Sequence, residues 1–172
     1  MCPIDYLKTV CDTWTNDEGK KVWNYLMYSR DIFSICENKT VLEIGPFSGW
    51  HTALITSYNP KHLTVVEPNI ESQKVLCDQF PHASVIVDDI YYFLEKYFNA
   101  DVVVCCGVLY HLHSPIYLLE QIVNKVNPKY IILETFDEIQ DSEAKLIDSI
   151  SCTLIKEELN IPGNRYTAKN KN

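Results

Sequence analysis

Four short stretches of the chain each follow an apolar run and carry residues that could hold or act on a polar ligand. The first is Glu43-Ile44-Gly45-Pro46-Phe47-Ser48-Gly49. The others are Glu67-Pro68, Asp88-Asp89-Ile90, and Cys106-Gly107 with the nearby Tyr110-His111. Gly45 and Gly49 allow left-handed backbone and close ligand approach where a Cβ would obstruct. A dinucleotide-type G-x-G-x-x-G starting at Gly45 requires glycine at positions 47 and 50, where the chain has Phe47 and Trp50. The spacing therefore argues against a nicotinamide dinucleotide. Glu67 lies about 20 residues beyond the turn, from where a carboxylate can accept hydrogen bonds from both hydroxyls of a ribose. Tyr110 and His111 could orient an acceptor or take its proton. A loop-bracing role for His111 and a helix-capping role for Asp88 or Asp89 stand beside these readings. His51, His62, His82 and His113 read as structural or surface residues.

The elements that must position these groups are legible as apolar runs rich in β-branched residues. They span Thr40 to Ile44, Leu63 to Val66, Ser84 to Val87, Asp101 to Cys105 and Tyr130 to Glu134. Gly49 to Ser57, Ile70 to Phe80, Ile90 to Tyr97 and Pro115 to Val126 place apolar residues at three- and four-residue steps and read as crossover helices. Strands alternating with helices predict an α/β fold, a doubly wound and mostly parallel sheet covered on both faces. A helix over Asn16 to Cys36, capped by Asn16 or Thr15, precedes the first strand. A short helix over Ser142 to Ile150 and a sixth strand from about Cys152 to Glu157 follow the fifth. Beyond Pro162-Gly163-Asn164 the chain reads as a solvated end, so the C-terminal section is expected to be shortened. These readings give one domain over 1–172: an N-terminal helical segment at 1–38, a core at 39–158 and a tail at 159–172.

At 172 residues and 47% hydrophobic content the chain can bury a core of its own. Its net charge of -8, with Arg30 and Arg165 as the only arginines, argues against broad nucleic-acid binding, which rests on cations neutralising phosphates. The seven cysteines form no CxxC pair, so no metal site is expected, and a reduced cytoplasmic protein is the economical reading. No apolar run reaches the length of a membrane span.

The stretch from Val41 to Thr52 resembles motif I of the class I methyltransferases, an acidic residue followed by glycines two, four and six positions later. Glu43, Gly45 and Gly49 match, and Phe47 replaces the middle glycine. The resemblance implies a Rossmann-like sheet of order 3-2-1-4-5 with S-adenosyl-L-methionine as cofactor. It places Glu43, Gly45, Phe47, Gly49, Glu67, Pro68, Asp88, Asp89, Ile90, Cys106 and Gly107 around that cofactor. The acid at the third strand end would accept from the adenine amine, with Asp89 fitting better than Asp88, and the following backbone N–H would meet the ring. Residues 101–115 look like motif IV and its loop, which puts Tyr110 and His111 at the catalytic end.

Asp12-Thr13-Trp14, Trp23, Gly107 to His111, Ser114-Pro115 and Leu133-Glu134-Thr135 are similar to the catalytic domain of the wobble-uridine tRNA carboxymethyltransferases. In that family the tyrosine matching Tyr110 helps hold the extra carboxylate of a carboxylated donor. The acidic charge and the lack of room for that family's extra segments point instead to methyl transfer onto a small-molecule acceptor. Other chemistry on the same cofactor, by carboxymethyl transfer or cofactor cleavage, is one alternative. A noncatalytic cofactor-binding partner subunit is another.

Overall fold

The computed structural model describes residues 3–13, 16–96, 98–135, 152–157 and 164–170, with backbone alone for 16–18 and the last two segments. Helix α1 (Pro3–Asp12), inside the N-terminal segment 1–38 expected to be helical, opens the chain. Helix α2 (Asn16–Ser29) runs into a 3-10 turn over Arg30–Cys36. Then come β1 (Thr40–Ile44), α3 (Trp50–Ser57), β2 (His62–Val66), α4 (Ile70–Gln79), β3 (Ser84–Ile86), α5 (Ile90–Glu95) and β4 (Val102–Cys106). A 3-10 turn over Leu109–His111, α6 (Pro115–Gln121) with a π-type last turn to Val126, and β5 (Tyr130–Thr135) follow. Strands β6 (Cys152–Glu157) and β7 (Asn164–Asn170) complete the sheet. The proposed cap Thr15 and the expected helix over 142–150 lie outside the described residues, and Asn16, described in its backbone alone, is the first residue of α2.

The first five strands are parallel and run in the order 3-2-1-4-5, as expected. The C-terminal section is different. Residues 164–170 are not a solvated tail: β7 inserts antiparallel between β5 and β6, giving the order β3-β2-β1-β4-β5-β7-β6. Asn-Arg-Tyr-Thr-Ala-Lys-Asn carries little apolar signal, and two neighbouring backbones supply the pairing that its side chains do not announce.

Alternation along the strands divides the core. Leu42, Ile44, Val103, Cys105, Ile131 and Leu133 face α5 and α6, where Phe93, Leu94, Leu118, Leu119 and Ile122 close over them. Val41, Val65, Val102, Val104, Cys106 and Ile132 face the other way, against Leu7 of α1, Leu26 of α2, Leu54 and Ile55 of α3 and Leu76 of α4. Both faces are dry, which explains why the central strands read as nearly unbroken apolar runs. Their carboxyl ends share one edge, where β1 passes into a turn before α3 and β4 into a turn before α6.

Candidate functional site

The turn after β1 is built from left-handed residues. Gly45 has φ 62°, Phe47 φ 51° and Gly49 φ 81°. Phe47 thus adopts the backbone of the glycine it replaces in the motif, with its ring mostly exposed, so the turn survives the departure at some conformational cost. The Gly45 N–H donates to the Val66 carbonyl at 2.9 Å, and a Cβ on Gly45 would stand 2.8 Å from a Val108 methyl. A Cβ on Gly49 would strike the Phe80 ring at 2.6 Å, so packing against α4 gives that glycine a reason of its own.

Glu67 closes the other side of the turn. Its Oε2 accepts from the Phe47 N–H at 2.9 Å and its Oε1 from the Asn69 N–H at 2.8 Å, and the side chain is buried. Each carboxylate oxygen keeps a lone pair for a hydroxyl donor. Pro68 lies in the chain between Glu67 and Asn69, and Asn69 in turn caps α4 by accepting from the Glu71 and Ser72 N–H groups. On the far side Tyr6 of α1 donates its hydroxyl to the Ser48 carbonyl at 2.6 Å, tying the N-terminal helix to the turn.

At the end of β3, Asp89 caps α5 by accepting from the Tyr91 N–H at 2.8 Å. Asp88 pairs with Lys96 at 2.9 Å, and Ile90 is buried in the α5–α6 core. The helix-capping reading of Asp89 therefore holds, and its second carboxylate oxygen remains an acceptor.

After β4, Gly107 has φ 71° and donates to the Glu134 carbonyl at 2.9 Å. A Cβ there would come within 3.3 Å of the Tyr110 hydroxyl, so the missing side chain leaves a cradle beneath that phenol. Burial, and then the Glu134 charge, raise the Tyr110 pKa. His111 is exposed, its ring 4.3 Å from that of Tyr110. Cys105 is fully buried and its thiol is pushed up to about 12, which fits a strand residue and not a nucleophile.

Glu43 points inward beneath α3. Its Oε2 accepts from the Thr52 hydroxyl at 2.7 Å, while Oε1 has no hydrogen-bond partner among the described residues. Burial raises its pKa to about 7, against the lowering effects of the Thr52 bond and of His51.

His51 and Glu134 are the residues that the sequence reading missed. His51 is largely buried, its Nε2 3.2 Å from Glu134 Oε2, and Cys106 pairs with Glu134 in the β4–β5 register. The available signal was an acid inside the apolar run Tyr-Ile-Ile-Leu-Glu-Thr and a histidine in the first turn after the glycines.

The residues fit a nucleoside-bearing cofactor on two observations: the cradle at Gly107, and a buried carboxylate at the end of β2 with acceptor capacity to spare. Among the described residues no helix is long and apolar enough to cross a membrane.

Comparison with known proteins agrees with this geometry. The model of a family described as a methyltransferase domain matches residues 27–169. A tRNA U34 carboxymethyltransferase of Nautilia profundicola is 29% identical over 118 residues, 64% of this chain and 38% of that protein. One from Helicobacter pylori strain P12 is 30% identical over 110 residues, 58% of this chain and 41% of its own length. The chain thus spans about two fifths of these relatives. Among solved structures, the magnesium protoporphyrin IX methyltransferase of Synechocystis PCC 6803 with bound SAM superposes at a TM-score of 0.74 and 9% identity, covering 92% of this chain and 86% of that one. The N-methyltransferase NodS of Bradyrhizobium japonicum WM9 does so at 0.69 and 16%, covering 91% and 99%.

Proposed function

Because the chain belongs to the S-adenosylmethionine-dependent class I methyltransferase family, we propose that it transfers a methyl group from S-adenosyl-L-methionine to a small-molecule acceptor. The observation that carries this reading is the Glu67 carboxylate bridging the Phe47 and Asn69 N–H groups at the carboxyl end of a parallel sheet. There it can accept ribose hydroxyls beside a glycine turn. The small acceptor is favoured by the net charge of -8, which opposes a polyanion.

S-adenosyl-L-methionine, when bound, supplies an activated methyl group on its sulfonium. Gly45, Phe47 and Gly49 would line the turn against it, Glu67 and Pro68 the ribose side, Asp88, Asp89 and Ile90 the adenine side, and Cys106 and Gly107 the far end. The buried Glu43 would brace that turn from beneath α3 through Thr52 rather than touch the ligand. Since displacement at carbon needs alignment more than acid–base machinery, the chain's main task is to orient both partners and exclude water. Tyr110 would orient the acceptor through its hydroxyl, and the exposed His111 would take the proton an oxygen or nitrogen acceptor loses.

One observation favours carboxymethyl transfer as a second reading. The β5–β7 register sets Arg165 opposite Glu134, at the carboxyl end of β5 and not in a free tail. An arginine at that register position is the residue type that the extra carboxylate of a carboxylated donor calls for.

Calorimetry decides both points. S-adenosyl-L-methionine should bind near 1:1 while NAD does not, and it should bind at least about tenfold more tightly than its carboxylated form, roughly 1.4 kcal/mol. Binding of NAD alone removes the methyltransferase reading, and preference for the carboxylated donor replaces methyl with carboxymethyl transfer.

A further inference from the structure

We propose that His51, Cys106 and Glu134 form a three-ligand site for a divalent transition ion of the zinc type. The three donors come from three elements, the first turn of α3 and the ends of β4 and β5. A ring nitrogen of His51, Cys106 Sγ and a carboxylate oxygen of Glu134 all lie within 4.8 Å of one another, the only such group among the described residues. Strand register explains the convergence. Cys106 and Glu134 are partners in the parallel β4–β5 ladder and share the sheet face on which α3 packs.

The chemistry of the donors selects the ion. Imidazole, thiolate and carboxylate together suit zinc and its borderline neighbours, whereas magnesium and calcium prefer oxygen alone. The existing geometry is close to a tetrahedral edge. Arms of about 2.0–2.1 Å put nitrogen and oxygen ligands roughly 3.3 Å apart, and His51 Nε2 stands 3.2 Å from Glu134 Oε2. Nε2 is buried, and among the described residues it makes no hydrogen bond, only this 3.2 Å approach to the carboxylate. A buried imidazole nitrogen held at that distance from a carboxylate, with its hydrogen-bonding capacity unused among the described residues, is placed to share a cation with it. Side-chain exposures of 13% and 20% for His51 and Glu134 leave the group sheltered yet reachable. Three protein ligands leave a fourth position for water or another small ligand, the arrangement of sites that exchange ligands. The sequence alone offered no such site, because 51, 106 and 134 share no spacing motif.

Cobalt(II) is the probe, added to chelator-treated protein without S-adenosyl-L-methionine, so that the result is separate from donor binding. The full chain should take up about one cobalt with a thiolate-to-cobalt charge-transfer band and tetrahedral visible bands, and zinc should displace it. Cys106→Ser should abolish the charge-transfer band, and His51→Gln and Glu134→Gln should each weaken cobalt binding at least about tenfold. Cys77→Ser, which alters an exposed free thiol, should change nothing. Circular dichroism checks folding of each variant. Should Cys106→Ser fail to fold, the two glutamine variants carry the test. No cobalt uptake, a band that follows Cys77, or full affinity in both glutamine variants overturns the site.

Discussion

Glu67 Oε2 accepts the Phe47 N–H at 2.9 Å across 20 positions of sequence, so one carboxylate both fixes the turn after β1 and presents itself beside it. Its other oxygen holds the Asn69 N–H at the entry to α4.

Replacing Glu67 should therefore affect binding and stability together. Glu67→Ala is expected to weaken S-adenosyl-L-methionine by at least about 1.5 kcal/mol, the lower scale for hydrogen bonds to a charged group, and to destabilise the chain by about 1–3 kcal/mol. Calorimetry on the folded variant reads the first and denaturant melts the second. Unchanged affinity would remove Glu67 from the site.

Phe47 tests the turn itself. At φ 51° a side chain is strained, and the Phe47 ring is 68% exposed, so little packing is lost with it. Phe47→Gly should leave the melting temperature equal or higher, while Phe47→Val, β-branched at a left-handed position, should cost about 1 kcal/mol relative to it. A glycine variant less stable than the valine one would contradict the left-handed assignment.

Glu43 predicts a pH dependence with a definite sign. Its folded pKa is raised to about 7, so between about 4.5 and 7 the folded chain holds a proton that the unfolded chain has released. The associated stability is fully present below that window and lost as pH rises through it. Melts of chelator-treated protein should show this slope, and Glu43→Gln should flatten it. A variant with the parent slope would assign the dependence to another group.

Tyr6 ties α1 to the turn through one hydroxyl. Tyr6→Phe keeps the edge-to-face contact with Phe80 at 5.4 Å and removes only the bond to the Ser48 carbonyl, so about 1 kcal/mol of stability should go. Tyr6→Ala should cost about 3–5 kcal/mol, because a buried aromatic leaves a cavity. Equal losses in the two variants would mean that the hydroxyl, and not the ring, holds α1 in place.

The sequence by itself determined the five parallel strands, their order through family resemblance, and the placing of Glu43, Gly45, Glu67 and Gly107 at strand ends and of Gly49 at the start of a helix. Strands buried on both faces must be continuously apolar, and turns that approach a ligand need glycine, so these features are written locally. The tertiary structure decided what depends on partners distant in sequence. Strand β7 exists because β5 and β6 pair with a segment whose own composition is polar. Phe47 takes a glycine's backbone in a turn whose amide the buried Glu67 carboxylate holds. Glu43 faces α3 and not solvent, and His51 meets Cys106 and Glu134, because a parallel register brings together residues that no spacing rule relates.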